Sequence, residues 1–211
     1  MEKSNRNPWE DLLLEDYENH MRLDNIRQLQ ALNNIIKEQL YRYDARTVII
    51  LGIAGGNGLE HVDPSRLETV YGIDINQDYL DTCRIRFSGL GDTLILKKLD
   101  LIDEGVVLPE ADLLIADLII EYIGVDSFVG GIRKARPAFV SCVIQKNYDA
   151  AFVSDSPYTQ AFSAISEMHR DVDEEKLINT MKSSSYELIY NDEVFLPNSK
   201  SLVCLDFKLA P

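Results

Sequence analysis

Thr47-Val48-Ile49-Ile50-Leu51-Gly52-Ile53-Ala54-Gly55-Gly56-Asn57-Gly58-Leu59-Glu60 is the stretch on which the fold is decided. Thr47–Leu51 is an unbroken apolar, β-branched run, as expected of a strand buried on both faces. Glycines at 52, 55, 56 and 58 follow at once, the composition of a tight turn whose backbone something approaches closely. A short helix-like stretch comes next. Glycines at the carboxyl end of a buried strand sit where open α/β sheets bind their ligands.

Working outward, similar strand patterns recur at Thr69–Ile73, Thr93–Leu96, Ala111–Ala116 and Ala138–Ile144. A helix is predicted from about Gln77 to Phe87. Another, capped by Asp126, carries Phe128, Val129 and Ile132 inward and stops before Pro137. Alternating strand and helix implies right-handed crossovers and a parallel sheet with helices on both faces. The tail changes texture. Residues 158–170 read as helical, and a further helix has Asp173 as N-cap with Leu177, Ile178 and Met181 facing inward. Two strands, Tyr186–Phe195 and Leu202–Phe207, are joined by the turn-rich Leu196-Pro197-Asn198-Ser199-Lys200. The expected fold is α/β, three-layered and Rossmann-like, with seven strands, mostly parallel, and an antiparallel C-terminal hairpin strand.

Before Thr47 the pattern is helical. Ile26, Leu29, Leu32, Ile36 and Leu40 form one stripe, and Asp24 is a suitable N-cap. Residues 1–45 therefore read as an N-terminal helical appendage on a domain spanning 46–211. Tyr17-Glu18-Asn19-His20-Met21 can form a lid there, with Trp9 and Tyr17 as stacking surface; a plain cover for a sheet face, or a homodimer contact, is the other reading.

The chain of 211 residues has the size of one domain, and 45% apolar residues is ample for a core. No apolar run is long enough to cross a bilayer, and Met1–Glu10 lacks the apolar core of a secretory signal. Cys83, Cys142 and Cys204 are odd in number and far apart, which points to free thiols and a cytoplasmic address. A net charge of −14 argues against a nucleic-acid backbone as partner. No metal-ligand spacing appears.

The glycine loop lacks the Gly-Lys-Ser/Thr ending of a P-loop. GxGxxG fails as well, because His61 stands where the third glycine would be. Gly52-xxx-Gly56-x-Gly58 matches the glycine spacing of short-chain dehydrogenases, yet no tyrosine has the lysine four positions on that those enzymes need. Asp74 closes the second strand, where a carboxylate can accept both hydroxyls of a ribose; capping of the helix near Gln77 is its structural alternative.

Together Val48–Glu60 and Val70–Asp74 resemble the first two motifs of class I S-adenosylmethionine-dependent methyltransferases. The resemblance continues at Leu99-Asp100-Leu101 and at Asp112–Tyr122, and it covers about Thr47 to Lys208. It implies that S-adenosylmethionine is the cofactor and S-adenosylhomocysteine the product. Gly52, Ile53, Ala54, Gly55, Gly56, Asn57 and Gly58 would surround the cofactor's methionine end. Asp74 with Ile75 would take the ribose, Asp100 with Leu101 the adenine, and Asp117, Leu118 and Tyr122 the ammonium and methyl region. One departure stands out: the family often has an acid two places before the first glycine, where this chain has Ile50. Glu60 or a carboxylate after the fourth strand is a substitute. Glycine amides at a helix N-terminus would receive the cofactor's carboxylate.

The implied reaction is methyl transfer to a small-molecule acceptor. It needs alignment above all and a base only where the acceptor must lose a proton. His20 and His61 are the candidate bases, with His169 behind them. A protein that binds the cofactor or its product without transfer, and a nucleotide-dependent oxidoreductase, are the alternatives.

Overall fold

The computed structural model describes residues 7–148 and 152–211. Seven strands form one sheet: β1 (Thr47–Leu51), β2 (Thr69–Asp74), β3 (Leu94–Lys98), β4 (Leu113–Asp117), β5 (Phe139–Asn147), β6 (Tyr186–Leu196) and β7 (Lys200–Leu209). Their order is β3-β2-β1-β4-β5-β7-β6. β1 through β5 pair in parallel, and β7 inserts antiparallel between β5 and β6. The expected strands and the mixed finish are all present.

Burial on both faces explains the unbroken apolar runs. Val48 and Ile50 of β1, with Leu113 and Ile115 of β4, face one layer; Ile49, Leu51, Leu114 and Ala116 face the other. The first layer is α2 (Gln28–Arg42), contributing Ile36 and Leu40, and α3 (Gln77–Arg86), contributing Leu80 and Cys83. The second is α5 (Val125–Ala135), with Phe128, Val129 and Ile132, and α7 (Glu174–Lys182), with Leu177 and Met181. Among the described residues there are three further short α-helices: α1 (Leu14–Arg22), α4 (Ile120–Ile123) and α6 (Ser163–Ser166).

Several local expectations are corrected. Asp24 does not cap α2, which begins at Gln28 after a turn ending in Arg27 at φ 54°. That turn drops Ile26 fully into the interior, so the helix starts later than the stripe suggests. Asp126 lies in the first turn of α5, and Gly124, at φ 81°, holds the cap position. Residues 158–170 contain only a 3-10 turn, Thr159–Phe162, and the single turn of α6. The stretch after the glycine loop is likewise one 3-10 turn, Leu59–His61. Its place on the sheet is taken by α2, whose Ile36 side chain sits where a Cβ on Gly58 would fall, at 2.6 Å.

The carboxyl end of α2 is tied to the sheet by a buried charge. Asp206 of β7, 0% exposed, accepts from Arg42 Nη1 at 2.5 Å, from the Tyr43 hydroxyl at 2.7 Å and from the Ser141 hydroxyl. Removing one member of such a cluster leaves its partners without compensation. Asp206→Ala should cost about 2–4 kcal/mol, below the full cost of a buried pair because Arg42 keeps some solvent contact. The check is the urea midpoint: an unchanged value would show that the cluster contributes nothing net.

Candidate functional site

The strand order reverses at β1, so the loops after β1 and β4 diverge and open a crevice at the carboxyl edge. A partly open cavity lies there, walled mainly by apolar and aromatic side chains with a few polar groups, as small-molecule sites usually are. Gly52 and Ala54 come to it from β1, Asp74 and Ile75 from β2, Leu99, Asp100 and Leu101 from β3, and Asp117, Leu118 and Tyr122 from β4. Trp9 and Tyr17 of the appendage close it from above.

The glycine loop is built to turn. Gly52 has φ +67°, Gly56 +88° and Gly58 +92°, all left-handed, and Ala54 joins them at +47°. Gly52 N–H and Ile53 N–H both donate to the Ile73 carbonyl, at 2.8 and 3.1 Å, and Gly56 N–H to the Ile53 carbonyl at 2.9 Å. Ala54 N–H donates to Asp74 Oδ2 and Gly58 N–H to Glu60 Oε2. Most of the loop's amides are therefore spent inside the protein, and no α-helix begins behind them. The expectation that glycine amides at a helix N-terminus receive an anion fails on both counts.

Ile53, Gly55, Gly56, Asn57 and Gly58 do not line the main cavity. Gly56 is backed by Phe87 and Cys83, and Asn57 donates to the Leu29 carbonyl. Ile53, Gly55 and Asn57 border a smaller hollow beneath α1, which Asp117 also reaches. Glu60, proposed above as a substitute acid, is turned away: it accepts from Gly58 N–H and from Asn33 Nδ2.

Among the described residues, three carboxylates line the cavity, and neither lysine nor arginine does. Asp74 is 8% exposed, with Oδ2 on Ala54 N–H and Oδ1 on Asn76 N–H, each at 2.9 Å. Burial raises its pKa, and the amide bonds oppose the rise. It does not cap α3; Asn76 does, accepting from Asp78 and Tyr79 amides. Asp100 is exposed at the rim and folds back onto Ile102 N–H at 3.0 Å. Asp117 is held on one side only: Gln39 Nε2 of α2 donates to Oδ1 at 2.9 Å, while Oδ2 is shielded from solvent and has no hydrogen-bond partner. Burial pushes this carboxyl up to about 7, the Gln39 bond opposes it, and the charges of Asp206 and Glu121 add to the rise. Two neutral donors of the lining, Trp9 Nε1 and the Tyr79 hydroxyl, are also buried and unpaired.

Gln39 is a site residue that sequence reasoning missed. Its signal was a polar side chain on the inward stripe of α2, between Ile36 and Leu40. Glu121 points elsewhere, accepting from Gln145 N–H at 2.8 Å, and Asp112 fixes the start of β1 by accepting from the Arg46 and Thr47 amides. His61 does not reach the cavity, because the 3-10 turn carries it toward α2, where it pairs with Asn33. His169 stacks on Phe152 with ring centres 3.4 Å apart, outside the cavity wall. His20 borders a second, adjoining cavity.

The strap over the mouth is held by rings more than by ions. Trp9 meets Tyr122 edge-on at 4.8 Å and Tyr17 at 6.0 Å, and Tyr17 stacks on Tyr79. Glu10–Lys98 at 2.8 Å and Glu18–Arg86 pin its ends, but ion pairs this exposed contribute about 0–1 kcal/mol each. Asn76 Nδ2 adds a bond to the Trp9 carbonyl at 2.8 Å.

No family model matches the chain, and no curated protein sequence does. Solved structures match throughout. The [4+2]-cyclase SpnF superposes with a TM-score of 0.66, covering 90% of this chain and 84% of its own at 11% identity. Magnesium protoporphyrin IX methyltransferase (ChlM) from Synechocystis PCC 6803, with bound S-adenosylhomocysteine, gives 0.62 over 92% and 87% at 10% identity. Geranyl diphosphate C-methyltransferase from Streptomyces coelicolor A3(2), also with S-adenosylhomocysteine, gives 0.63 over 87% and 78% at 11%. The chain has the class I S-adenosylmethionine-dependent methyltransferase fold.

A carboxyl whose folded pKa lies above its unfolded value binds protons more tightly when folded. Stability therefore falls as pH rises from about 4 to about 7 through Asp117. Asp117→Asn removes the desolvated charge. It should raise stability at pH 8 by roughly 1–3 kcal/mol and leave it near wild type at pH 4. Urea titrations at the two pH values test this; an equal effect at both would place the charge of Asp117 outside the stability balance.

Proposed function

We propose that this protein transfers the methyl group of S-adenosylmethionine to a small-molecule acceptor. The observation that carries the reading is Asp117 Oδ2, a shielded carboxylate oxygen with no partner, at a cavity lined, among the described residues, by three carboxylates and by no lysine or arginine. Such a lining favours a cationic ligand and disfavours the pyrophosphate of a dinucleotide. Asp74 retains acceptor capacity for a ribose diol while its two oxygens shape the glycine loop. Asp117 meets the ammonium and sulfonium end, with Gln39 holding it in orientation. Asp100 and Leu101 border the place of an adenine, and Ile75, Leu99 and Leu101 give it apolar surface.

The bound cofactor supplies a methyl group on a sulfonium, already activated for in-line displacement. The chain's part is to align and to exclude water. Trp9, Tyr17 and Tyr122 cover the strand ends with rings, in keeping with residues 7–45 acting as a lid on the domain that follows. Dehydration strengthens the attraction of Asp117 for a cation. The three cysteines, all free and buried, support a reducing, cytoplasmic setting.

Calorimetric titration of the purified chain with S-adenosylhomocysteine, with NADH as control, tests the cofactor. Micromolar binding of the first alone is expected. Asp74→Ala should weaken it by roughly 10–100-fold, the equivalent of one charge-assisted hydrogen bond. Circular dichroism checks that the variant is folded. Binding of neither ligand overturns the reading. Binding without transfer of a tritiated methyl group to any component of a cell extract points to a sensor of the cofactor.

A further inference from the structure

Behind the cofactor cavity lies a second one, and Trp9, Tyr17, Leu118 and Tyr122 border both. Phe152, Phe162 and Met21 add flat or pliable apolar surface to it. Its polar groups are few and fixed. His20, 4% exposed, has Nδ1 at 2.8 Å from Ser156 Oγ, and its ring lies 4.5 Å from that of Phe162. Ser156 Oγ is itself held by Tyr158 N–H at 3.0 Å. Gln28 Nε2 donates to Gln145 Oε1 at 2.8 Å, both side chains being buried. Among the described residues no aspartate or glutamate lines this cavity, and the one charged side chain is Lys200, whose ammonium donates to the Phe152 carbonyl.

The two cavities thus differ in what they attract. The first carries carboxylates; the second carries rings, two amides, an imidazole and a cation. Aromatic walls select a flat apolar body, and the neutral imidazole and amides among the described residues suit an uncharged polar group on it.

Resting on the cofactor reading above, we propose that the second cavity is the acceptor subsite, that it takes a flat aromatic molecule bearing an un-ionised hydroxyl, and that His20 receives the hydroxyl proton. A lone pair of the acceptor oxygen forms the new O–C bond as the S–C bond breaks. The S–C electron pair stays on sulfur, giving the neutral thioether, and the hydroxyl proton passes to the imidazole. The positive charge lost by sulfur reappears on His20, so the net charge of the buried site is unchanged.

Burial, aided by the charge of Lys200, holds the His20 pKa down to about 4, so the imidazole is neutral near pH 7 and able to accept. So weak a base suffices because the hydroxyl proton becomes far more acidic as its oxygen is methylated. The Ser156 contact at Nδ1 fixes the ring, as an orienting partner does for a general base.

The full-length chain, loaded with S-adenosylhomocysteine, is titrated calorimetrically with 2-naphthol and with cyclohexylamine. Saturable binding of 2-naphthol that leaves S-adenosylhomocysteine bound, with no binding of the amine, is expected. With S-adenosylmethionine, methylation of 2-naphthol should lose about 10²–10⁴-fold in kcat in His20→Ala, while KM stays within about threefold. Added imidazole should restore part of the loss. Preference for cyclohexylamine, displacement of S-adenosylhomocysteine by 2-naphthol, or binding of 2-naphthol without its methylation overturns the subsite. Wild-type kcat in His20→Ala overturns the role of the histidine. Should His20→Ala not fold, the wild-type binding arms decide. Failure of S-adenosylhomocysteine to bind at all is the separate failure of the cofactor reading.

Discussion

The reversal of strand order at β1 governs everything around the site. β2 and β4 flank β1 on opposite sides, and their crossovers leave in opposite directions. The loops after β1 and β4 must separate, so a crevice forms at the carboxyl edge whatever side chains occupy it. Two aspartates keep the frame rigid there. Asp112 ties the start of β1 to β4 through two amides, and Asp74 ties the glycine loop to the end of β2 through Ala54 N–H. Both are fixed by backbone donors, which do not depend on side-chain rotamers.

Stability and ligand affinity make opposite demands on this edge. Asp117 and Glu121 are both carboxyls pushed up to about 7 by burial, within one turn of each other. A fold selected for stability alone would replace them with apolar residues, since an unpaired buried charge is costly. Glu121 at least holds the Gln145 amide. Asp117 holds Gln39 in the same way, and in both residues the second oxygen is shielded and unpaired; what separates them is place, since Asp117 lines the cavity at the carboxyl edge and Glu121 does not.

Much of the fold was legible because its signals are local. An unbroken β-branched run marked β1, mostly apolar runs marked β4 and β5, Pro197 and its neighbours marked the final hairpin, and Asp173 marked the start of α7. Helix starts were read less well where tertiary burial won: Ile26 is drawn into the core, which moves the beginning of α2 past Asp24. The site was half legible. Asp74 and Asp117 could be placed because they end strands. The roles of Gly56 and Gly58 as spacing for Phe87 and Ile36, and the capture of Asp117 by Gln39, are contacts between distant segments, invisible to any window along the chain. His61 was misplaced for a related reason. Nothing in Leu59–His61 announces that the helix expected there stops after one turn.

That truncated helix also explains why the appendage is part of the site. With only a 3-10 turn after Gly58, the face of the sheet beside β1 is left for α2 to cover, and Ile36 and Leu40 do so. The connection from α2 to β1 is short, so the helix must run antiparallel to the strand; Arg42 reaches the buried Asp206, while Asn33, farther back, meets Asn57 and Glu60 of the loop. The amino end of α2 therefore arrives at the carboxyl edge of the sheet. Whatever precedes it has to cross the crevice. Trp9, Tyr17 and His20 lie over the cavities because of where α2 is forced to pack, and the same rearrangement that removes a helix dipole from the glycine loop supplies the rings that dehydrate it. On the function proposed above, recognition at this edge rests on shielded carboxylates that attract a cation, and not on backbone amides that attract anions.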